Sequence, residues 1–415
     1  MQLKRVVVTG LGALTPIGNT LAEYWEGLKN GKSGAAPITR FDASLFKTKF
    51  DCELKNFEIG NFMDRKEARK MDPFAQYAMV AVDEAIKDSN LPLADLNPNR
   101  VGVIWGSGIG GLLTFQEEVK TYSKGDGTPR FNPFFIPKMI PDLSAGHISI
   151  KYGFRGPNYV TVSACASSTN ALYDAFTYLR LGKADIIVSG GSEAAVCEAG
   201  VGGFNALKAL SERNDSPETA SRPYDKSRDG FVLGEGAGAL ILEEYEHAKK
   251  RGAKIYAEII GGGMSAYAYH ITAPHPDGAG IIQVMYNALE DAGIAAEDVD
   301  YINTHGTSTP LGDIGEIRAI QKVFGEQAYK MNISSTKSMT GHLLGAAGAI
   351  ESIACIMAID QSIIHPTINH FEDDPDLDTR LNMTFNTAQQ REVKIALSNT
   401  FGFGGHNFSV IFRKI

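Results

Sequence analysis

Residues 157–182 read PNYVTVSACASSTNALYDAFTYLRLG, and this stretch specifies a strand, a tight turn and a helix in succession. The β-branched and aromatic residues 159–162 predict the strand. From Leu172 to Leu179, apolar residues recur at three- and four-residue spacing, which predicts a helix that ends at Gly182. Cys165 lies in the turn between the two, where a fold can present a nucleophile.

The position predicted for Cys165 favours ionisation of its thiol. At the start of a helix, the thiol faces unpaired backbone N–H groups and the positive end of the helix dipole, and both stabilise a thiolate. We therefore expect Cys165 to be ionised enough at neutral pH to attack a carbonyl group. The alternative is a small buried core residue, which is what most free cysteines are.

Two histidines follow predicted strands farther along the chain. His305 comes after the strand-like residues 299–303 and His342 after residues 331–335, and each lies among glycine and hydroxyl residues. One histidine alone is more often an ordinary core or surface residue than a catalyst. Two at strand ends, in a chain with Cys165 at a helix start, favour a catalytic site.

Three motifs together resemble the Cys-His-His site of the β-ketoacyl-[acyl carrier protein] synthases. They are VSACASS at residues 162–168, THGTSTP at 304–310 and TKSMTGH at 336–342. GSGIGG at 106–111, RPYDKSRDGFVLGEGAG at 222–238 and FGFGG at 401–405 extend the resemblance over residues 6–412. It is closest to the condensing enzymes of type II fatty acid synthesis, and the order and combination of the motifs are highly specific.

The resemblance implies a thiolase-like α/β fold, in which two duplicated halves form five layers in the order α-β-α-β-α. It also implies a decarboxylative Claisen condensation, in which Cys165 accepts an acyl chain from acyl carrier protein as a thioester. Malonyl carrier protein then loses CO2, neutral His305 and His342 stabilise the enolate, and the product is a 3-oxoacyl carrier two carbons longer. The carrier's phosphopantetheine arm holds the substrate, and no tightly bound cofactor or metal is expected.

The resemblance assigns further residues to the substrates. The backbone N–H groups of Cys165 and Phe401 are expected to bind the oxyanion of the thioester. The Phe401 side chain is expected to gate the acyl pocket with Ile109 as its packing partner. Thr307 and Thr309 resemble the hydroxyls that bind the phosphopantetheine arm, although ordinary loop packing explains them equally well.

Lys337 is either an acid or a residue that orients its neighbours through an ion pair, and Glu351 is its expected partner. The apolar residues around Glu351 predict a buried helix, and a buried carboxylate requires a partner. The alternative for Glu351 is a solvated helix position. Asp313 and Glu316 are expected only to favour the N-terminus of their helix, and we leave them out of the catalytic group.

The chain contains an internal duplication. Residues 85–96, which lead to a strand at 101–105, are echoed by residues 288–299, which lead to a strand at 301–303. So long a spacing indicates two similar α/β halves rather than a solenoid. We place the boundary near Arg251, with the nucleophile in residues 1–251 and the two histidines in 252–415. Alternating strands and helices predict mostly parallel sheets.

Composition indicates a large soluble enzyme. The 415 residues are 43% hydrophobic and 21% charged, enough for one large core or two fused ones. Glu351 interrupts the longest apolar run, residues 343–357, so no membrane span is expected. A first strand beginning at Lys4 leaves no room for a leader, so we expect a cytoplasmic protein, or one of an organelle matrix or stroma whose leader has been removed.

Other cofactor chemistries find little support. Residues 6–12 resemble the start of a dinucleotide-binding turn, but Thr15-Pro16 stands where the third glycine is needed. The cysteines have no Cys-x-x-Cys spacing that would indicate zinc or disulfides; they are Cys52, Cys165, Cys197 and Cys355.

The net charge of −8 argues against nucleic acid as a partner. Basic residues nevertheless cluster locally, and we expect them to dock the acidic carrier protein; they are Arg65, Lys66, Arg69, Lys70 and Lys208. The alternative is a solvated helix face that Asp64 and Glu67 partly neutralise. The family resemblance also implies a homodimer.

Three other functions stay open at this point. A polyketide ketosynthase would differ in its extender unit and not in its nucleophile. A chain-length factor is a non-catalytic partner that normally lacks the cysteine present here. A Cys-His hydrolase would use one histidine as a base and water as the acceptor, and would leave the second histidine without a task.

Overall fold

The computed structural model describes residues 3–415 as a mixed α/β protein. Its strands are β1 (Val6–Leu14), β2 (Ala36–Pro37), β3 (Phe50–Asp51), β4 (Val101–Gly106), β5 (Asn158–Thr161), β6 (Ile186–Glu193), β7 (Gly236–Glu244), β8 (Ala257–Ala266), β9 (Tyr301–Asn303), β10 (Asn332–Ser334), β11 (Ile363–Ile364), β12 (Gln389–Gln390), β13 (Ile395–Gly402) and β14 (His406–Arg413). Its helices are α1 (Leu21–Lys29), α2 (Arg65–Ala68), α3 (Pro73–Asp88), α4 (Leu112–Ser123), α5 (Phe135–Met139), α6 (Leu143–Tyr152), α7 (Ser167–Arg180), α8 (Glu198–Ala206), α9 (Tyr245–Lys250), α10 (Ala279–Ala292), α11 (Pro310–Phe324), α12 (Lys337–Thr340) and α13 (Ala347–Gln361).

The predicted duplication is visible in the order of the strands. A ten-stranded sheet runs β10-β9-β13-β14-β8-β1-β7-β6-β4-β5. From the centre outward, the first half has the order β1-β7-β6-β4-β5 and the second half has the order β8-β14-β13-β9-β10. If the five strands of each half are numbered along the chain, both halves have the order 1-5-4-2-3. Arg251, our expected boundary, lies in the connection from α9 to β8.

The sheet is mixed, so the prediction of mostly parallel sheets is wrong. In each half, β4 and β9 pair in parallel with both of their neighbours, whereas β7 and β14 pair in antiparallel fashion with theirs. An antiparallel pairing of β1 with β8 joins the two halves. The turn between β13 and β14 is three residues long, too short for the crossover that parallel strands need.

The elements form the five layers that the family resemblance implies. α7 and α13 lie between the two halves of the sheet and share one core cluster with strands of both. α3 and α6 cover the outer face of the first half, and α10 and α11 cover that of the second. Along β7, Leu240 and Leu242 face the central layer while Ala239 and Ile241 face α3, the alternation that a strand buried on both faces requires.

The glycines near the N-terminus allow a close approach between helix and strand. A Cβ on Gly12 would lie 2.0 Å from the carbonyl oxygen of Ala81 in α3, and one on Gly10 would lie 2.4 Å from that of Ala85. β1 is buried along its whole length. This packing explains the glycines that resembled the start of a dinucleotide-binding turn.

One helical segment, Leu344–Gln361, is long and apolar enough to cross a membrane by length and composition alone. We had expected Glu351 to interrupt this apolar run, but the segment has 18 residues and so reaches the length of a possible membrane span. Of this segment, 89% is buried inside the molecule, because it contains the central helix α13. Such burial is typical of a core helix.

Candidate active site

The turn that carries Cys165 is tightly constrained. β5 ends at Thr161, residues Ala164–Ala166 form a 3-10 turn, and α7 begins at Ser167. Ala164 has a φ of 51°, a left-handed conformation that is strained for a residue with a Cβ. The Ser167 hydroxyl holds it, donating to the Ala164 carbonyl at 2.6 Å and accepting the Ser163 N–H at 3.0 Å. The cysteine is therefore rigidly placed at the start of the central helix.

The Cys165 thiol is neutral at pH 7, contrary to our expectation. Burial raises its pKa to about 12, and the carboxylate of Glu193 acts in the same direction. The ammonium group of Lys337 and the backbone N–H groups of Phe403 and Cys165 lower it, without offsetting the burial. The surroundings of Cys165 therefore favour the neutral thiol over the thiolate.

The two histidines share one cavity with the cysteine. The cavity has a volume of about 560 Å³, and Cys165, His305 and His342 all line it. The two imidazole rings lie 5.3 Å apart, centroid to centroid, at 85° to each other. Burial holds the pKa of both rings well below the usual range, and the charge of Lys337 adds to the effect. Both imidazoles are therefore neutral.

The tautomer of His342 follows from its surroundings. Its Nδ1 accepts the backbone N–H of Leu344 at 3.3 Å, so the ring proton resides on Nε2. The histidine's own backbone is fixed on both sides, since its N–H donates to Val232 at 2.7 Å and its carbonyl accepts from Gly234 at 2.9 Å. The long motif at residues 222–238 thus supports the second histidine.

The predicted ion pair between Lys337 and Glu351 is present in the structure. Lys337 Nζ donates to Glu351 Oε1, and the two residues are 1% and 0% exposed. Burial raises the pKa of Glu351, and the lysine opposes that shift. The pair places a positive charge beside both histidines and the thiol, which favours any anion that forms in the cavity.

Two carboxylates that we expected only to favour a helix N-terminus, Asp313 and Glu316, are buried next to the site. Glu316 accepts the N–H groups of His305 at 2.9 Å and Gly306 at 2.8 Å, and burial raises its pKa to about 7. Asp313 forms an ion pair with Arg228 at 3.4 Å, and burial raises its pKa to about 6. Glu316 thus positions the His305 loop. Their helical spacing with the buried Ile317 was the signal that could have revealed them.

The expected oxyanion donor needs correction. The backbone N–H that reaches the Cys165 thiol, besides that of Cys165 itself, belongs to Phe403 and not to Phe401. Phe401 lies within β13, paired with Asn407 of β14, and its ring packs against His305 at 5.6 Å. The chain turns only after β13 ends, so the amide of Phe403 is the one that turns toward the cysteine.

Only some of the expected substrate-binding residues line the cavity. Thr307 and Thr309 line the cavity, with their hydroxyl oxygens 3.0 Å apart. Phe401 also lines it, but Ile109 does not. Ile109 is 38% exposed, and its backbone N–H donates to Glu193 at 3.2 Å. Ile109 is therefore not among the residues that line the cavity with Phe401, and its packing on Phe401 stays a prediction.

Within residues 3–415, no group of three or more histidine, cysteine or acidic side chains could hold a metal ion. All four cysteines are free and buried.

Sequence comparison identifies the family. The family described as "Beta-ketoacyl synthase, N-terminal domain" matches residues 3–248, and "Beta-ketoacyl synthase, C-terminal domain" matches residues 256–371. The chain belongs to the β-ketoacyl synthase family.

Relatives of this synthase span its full length. A 3-oxoacyl-[acyl-carrier-protein] synthase 2 of Synechocystis sp. is 50% identical over 414 residues, which cover 100% of this chain and 99% of the relative. The enzyme of the same name from Staphylococcus aureus is 49% identical over 413 residues, with the same coverage. Among solved structures, a β-ketoacyl synthase from Burkholderia phymatum superposes with a TM-score of 0.92 at 36% identity, over 99% of this chain and 100% of that one.

A second solved structure contains a partner. It is a type II polyketide acyl carrier protein in complex with its ketosynthase, and it matches with a TM-score of 0.90 and 37% identity over 100% of both chains.

The basic residues of this synthase fall into two groups. Arg65, Lys66 and Arg69 are exposed on or next to α2, which is a single turn of 4 residues. Lys70 is only half-exposed, because it forms an ion pair with Glu67 at 2.7 Å. Lys208 is exposed and lines the cavity that contains Cys165.

Proposed function

We propose that this chain condenses acyl-[acyl carrier protein] with malonyl-[acyl carrier protein], to give 3-oxoacyl-[acyl carrier protein] and CO2 and to elongate fatty acids by two carbons. The observation that carries the proposal is one buried cavity in which a cysteine thiol and two neutral imidazoles converge. The names of relatives that are 49–50% identical over the whole chain support it.

The first half-reaction transfers the acyl chain. The sulfur of Cys165 attacks the thioester carbonyl, the bond to the phosphopantetheine sulfur breaks, and the thiol proton ends on that leaving sulfur. The backbone N–H groups of Cys165 and Phe403 bind the oxyanion of the tetrahedral intermediate. Because the proton passes from one sulfur to the other, a neutral resting thiol with a pKa of about 12 suits this exchange.

The second half-reaction needs stabilisation of a new anion. When malonyl carrier loses CO2, negative charge develops on its thioester oxygen, and an N–H from each neutral imidazole binds it. The Nε2–H of His342 is available for this, since its Nδ1 is occupied by the Leu344 N–H. The enolate carbon then attacks the acyl-Cys165 thioester, and the cysteine leaves as a thiolate that takes up a proton from water. Each donor contributes about 10²–10³-fold in rate.

Carrier protein and subunit contacts complete the proposal. The Thr307 and Thr309 hydroxyls bind the phosphopantetheine arm, and Lys208 with the basic residues at α2 docks the acidic carrier. For the homodimer, the support is β5, which is the last strand of the sheet and is followed by Val162 with 60% exposure. An unpaired strand edge of this kind pairs readily with a second chain. The cytoplasmic location also belongs to the proposal.

Intact-mass spectrometry of a complete reaction tests the function. The purified protein is mixed with a medium-chain acyl carrier and malonyl carrier, and the masses of protein and carrier are followed. We expect an acyl adduct on the protein that converts to a 3-oxoacyl carrier two carbons longer. The adduct should vanish in Cys165→Ala and persist in Cys197→Ala, which removes a buried cysteine that does not line the cavity.

The alternatives give different masses. Acylation followed only by release of free acid would identify a hydrolase and overturn the proposal. Absence of any adduct would indicate a non-catalytic partner such as a chain-length factor.

A further inference from the structure

A buried carboxylate lies behind the cavity and has no role in the reaction described above. Glu193 ends β6 and is 0% exposed. It accepts hydrogen bonds from five donors, which are the Ser107 hydroxyl (3.2 Å) and the backbone N–H groups of Gly108 (2.8 Å), Ile109 (3.2 Å), Gly110 (3.3 Å) and Gly345 (3.0 Å). So many donors on one carboxylate fix both of its oxygens.

These donors come from two loops that both bind this carboxylate. Ser107 to Gly110 follow β4 and belong to the GSGIGG stretch, whose glycines have no role assigned from the sequence. Gly345 follows His342 by three residues. A Cβ on Gly345 would lie 2.3 Å from the Gly108 nitrogen, and a Cβ on Gly108 would lie 2.8 Å from Glu193. Consecutive N–H groups in a glycine loop form an anion-binding nest, and here the chain supplies its own anion.

The second loop leads directly to a catalytic imidazole. Leu344 has a φ of 47°, which is strained for a branched side chain, and its N–H is the donor that fixes the His342 tautomer. The next N–H in the chain, that of Gly345, is held by Glu193. The carboxylate therefore anchors the strained turn that orients His342.

Glu193 also acts on the nucleophile through its charge. Besides burial, which has the largest effect, two charged groups shift the pKa of the Cys165 thiol, namely Lys337 and Glu193, and the histidines beside it are neutral. Glu193 raises the thiol pKa and Lys337 lowers it. Removal of the carboxylate charge should therefore increase the thiolate fraction, an effect that a purely structural residue would not have.

We propose that Glu193 is a positioning residue for the condensation, a resident anion that locks the loop after β4 to the turn after His342. It contacts neither substrate nor reacting atoms, and it acts through the Leu344–Gly345 turn. The proposal rests on the proposed function, because it assigns Glu193 to the step that His342 serves.

The test replaces the carboxylate with its amide. In Glu193→Gln, an NH2 group faces backbone N–H donors, so the turn should relax. We expect kcat to fall at least about tenfold with KM within about twofold, since misplacement of a catalytic group by about 1 Å can cost about 100-fold in rate. Alkylation of Cys165 by iodoacetamide at pH 8 should become faster, because loss of the negative charge lowers the thiol pKa.

Two further variants distinguish the effect of the Glu193 charge from the effects of carboxylate position and of protein stability. Glu193→Asp keeps the charge but shortens the reach, so it should lower kcat and leave the alkylation rate near that of the parent. Asp72→Asn is the matched control, since Asp72 is also 0% exposed and accepts backbone N–H groups, from Phe74 and Thr114, away from the cavity. It should lower the melting temperature without changing kcat or the alkylation rate.

A Glu193→Gln enzyme with kcat within twofold of the parent would overturn the proposal. So would a loss of kcat without faster alkylation and without a change in the nitrogen NMR shifts that report the His342 tautomer. These last two readouts do not depend on turnover. If the parent protein fails to condense substrates, the proposed function falls while the role of Glu193 is still decided by alkylation and NMR.

Discussion

Cys165 lies where opposing electrostatic effects meet. The backbone N–H groups at its turn and Lys337 favour the thiolate, whereas burial and Glu193 favour the thiol and raise the pKa to about 12. The sequence predicted the helix start but could not predict the burial, which depends on residues far along the chain. A similar limit applies to the oxyanion donor, because Phe401 and Phe403 have the same local pattern, each followed by glycine, and only the end of β13 distinguishes them.

The raised thiol pKa predicts a steep pH dependence of alkylation. A group with a pKa of about 12 is protonated throughout the neutral range, so the thiolate fraction should rise about tenfold for each pH unit. We expect the second-order rate of Cys165 alkylation by iodoacetamide to increase from pH 7 to pH 10 without a plateau, measured with Cys165→Ala as the blank. A plateau below pH 9 would show that the thiol is ionised, as the helix start alone suggested.

Lys337 and Glu351 should stabilise the fold only when both are present, because each compensates the buried charge of the other. Lys337→Met leaves a carboxylate at 0% exposure without its partner, which we expect to cost about 3–5 kcal/mol of unfolding free energy. The double variant with Glu351→Leu should recover most of that loss, because no unpaired charge remains. Urea denaturation measures both. Equal stability of the single variant and the parent would contradict the account.

At the scale of elements, the central layer determines where the nucleophile stands. α7 and α13 cross between the two halves of the sheet in close contact, and Gly348 of α13 lies against Thr169 of α7. The sequence predicted α7 from its periodicity and α13 from the apolar residues around Glu351, but their contact depends on the fold of both halves. The direction of the strands was likewise beyond the sequence, because the apolar residues of β7 and β14 are compatible with either pairing.

Gly348→Ala should disturb this contact. A Cβ there would lie 1.9 Å from Thr169 Oγ1 and 3.0 Å from the Thr169 nitrogen, so α7 must shift, at a cost of about 1–3 kcal/mol, and kcat should fall with it. Gly146→Ala in α6 is the matched control, since its nearest neighbour would lie 3.9 Å away; the helix should gain about 0.5–1 kcal/mol from alanine. Thermal denaturation and turnover measure both. If the two variants had the same stability and the same turnover, the contact between Gly348 and Thr169 would not constrain the position of α7.

At the scale of the whole molecule, duplication creates the site. Each half supplies what the other lacks, since Cys165 comes from the first and both histidines from the second, and the pairing of β1 with β8 holds the halves together. The motifs allowed this division to be predicted, because they lie in separate halves of the chain. The supporting roles of Glu193 and Glu316 were not predicted, since their partners are backbone N–H groups; the helical spacing of Glu316 could have indicated its burial but not these partners.

Docking of the carrier should depend on local charge in a molecule whose net charge is −8. Lys66→Glu, Arg69→Glu and Lys208→Glu together should raise KM for carrier-bound substrates at least about tenfold, and this effect should weaken as salt screens it. KM for small thioester mimics should change less than about twofold, because they enter the cavity without docking. If KM rose equally for both substrate types, these basic residues would not form a docking surface for the carrier.

The central claim is that Cys165 carries the acyl chain while His305 and His342 stabilise the enolate, and one reaction with two readouts tests it directly. Malonyl carrier labelled in its free carboxylate reports CO2 release, while intact mass reports acylation of Cys165 in the same tube. We predict that His305→Ala and His342→Ala retain acylation at least about tenfold better than CO2 release, because their N–H groups serve the enolate. Histidine variants that lose acylation but still release CO2 would contradict this division.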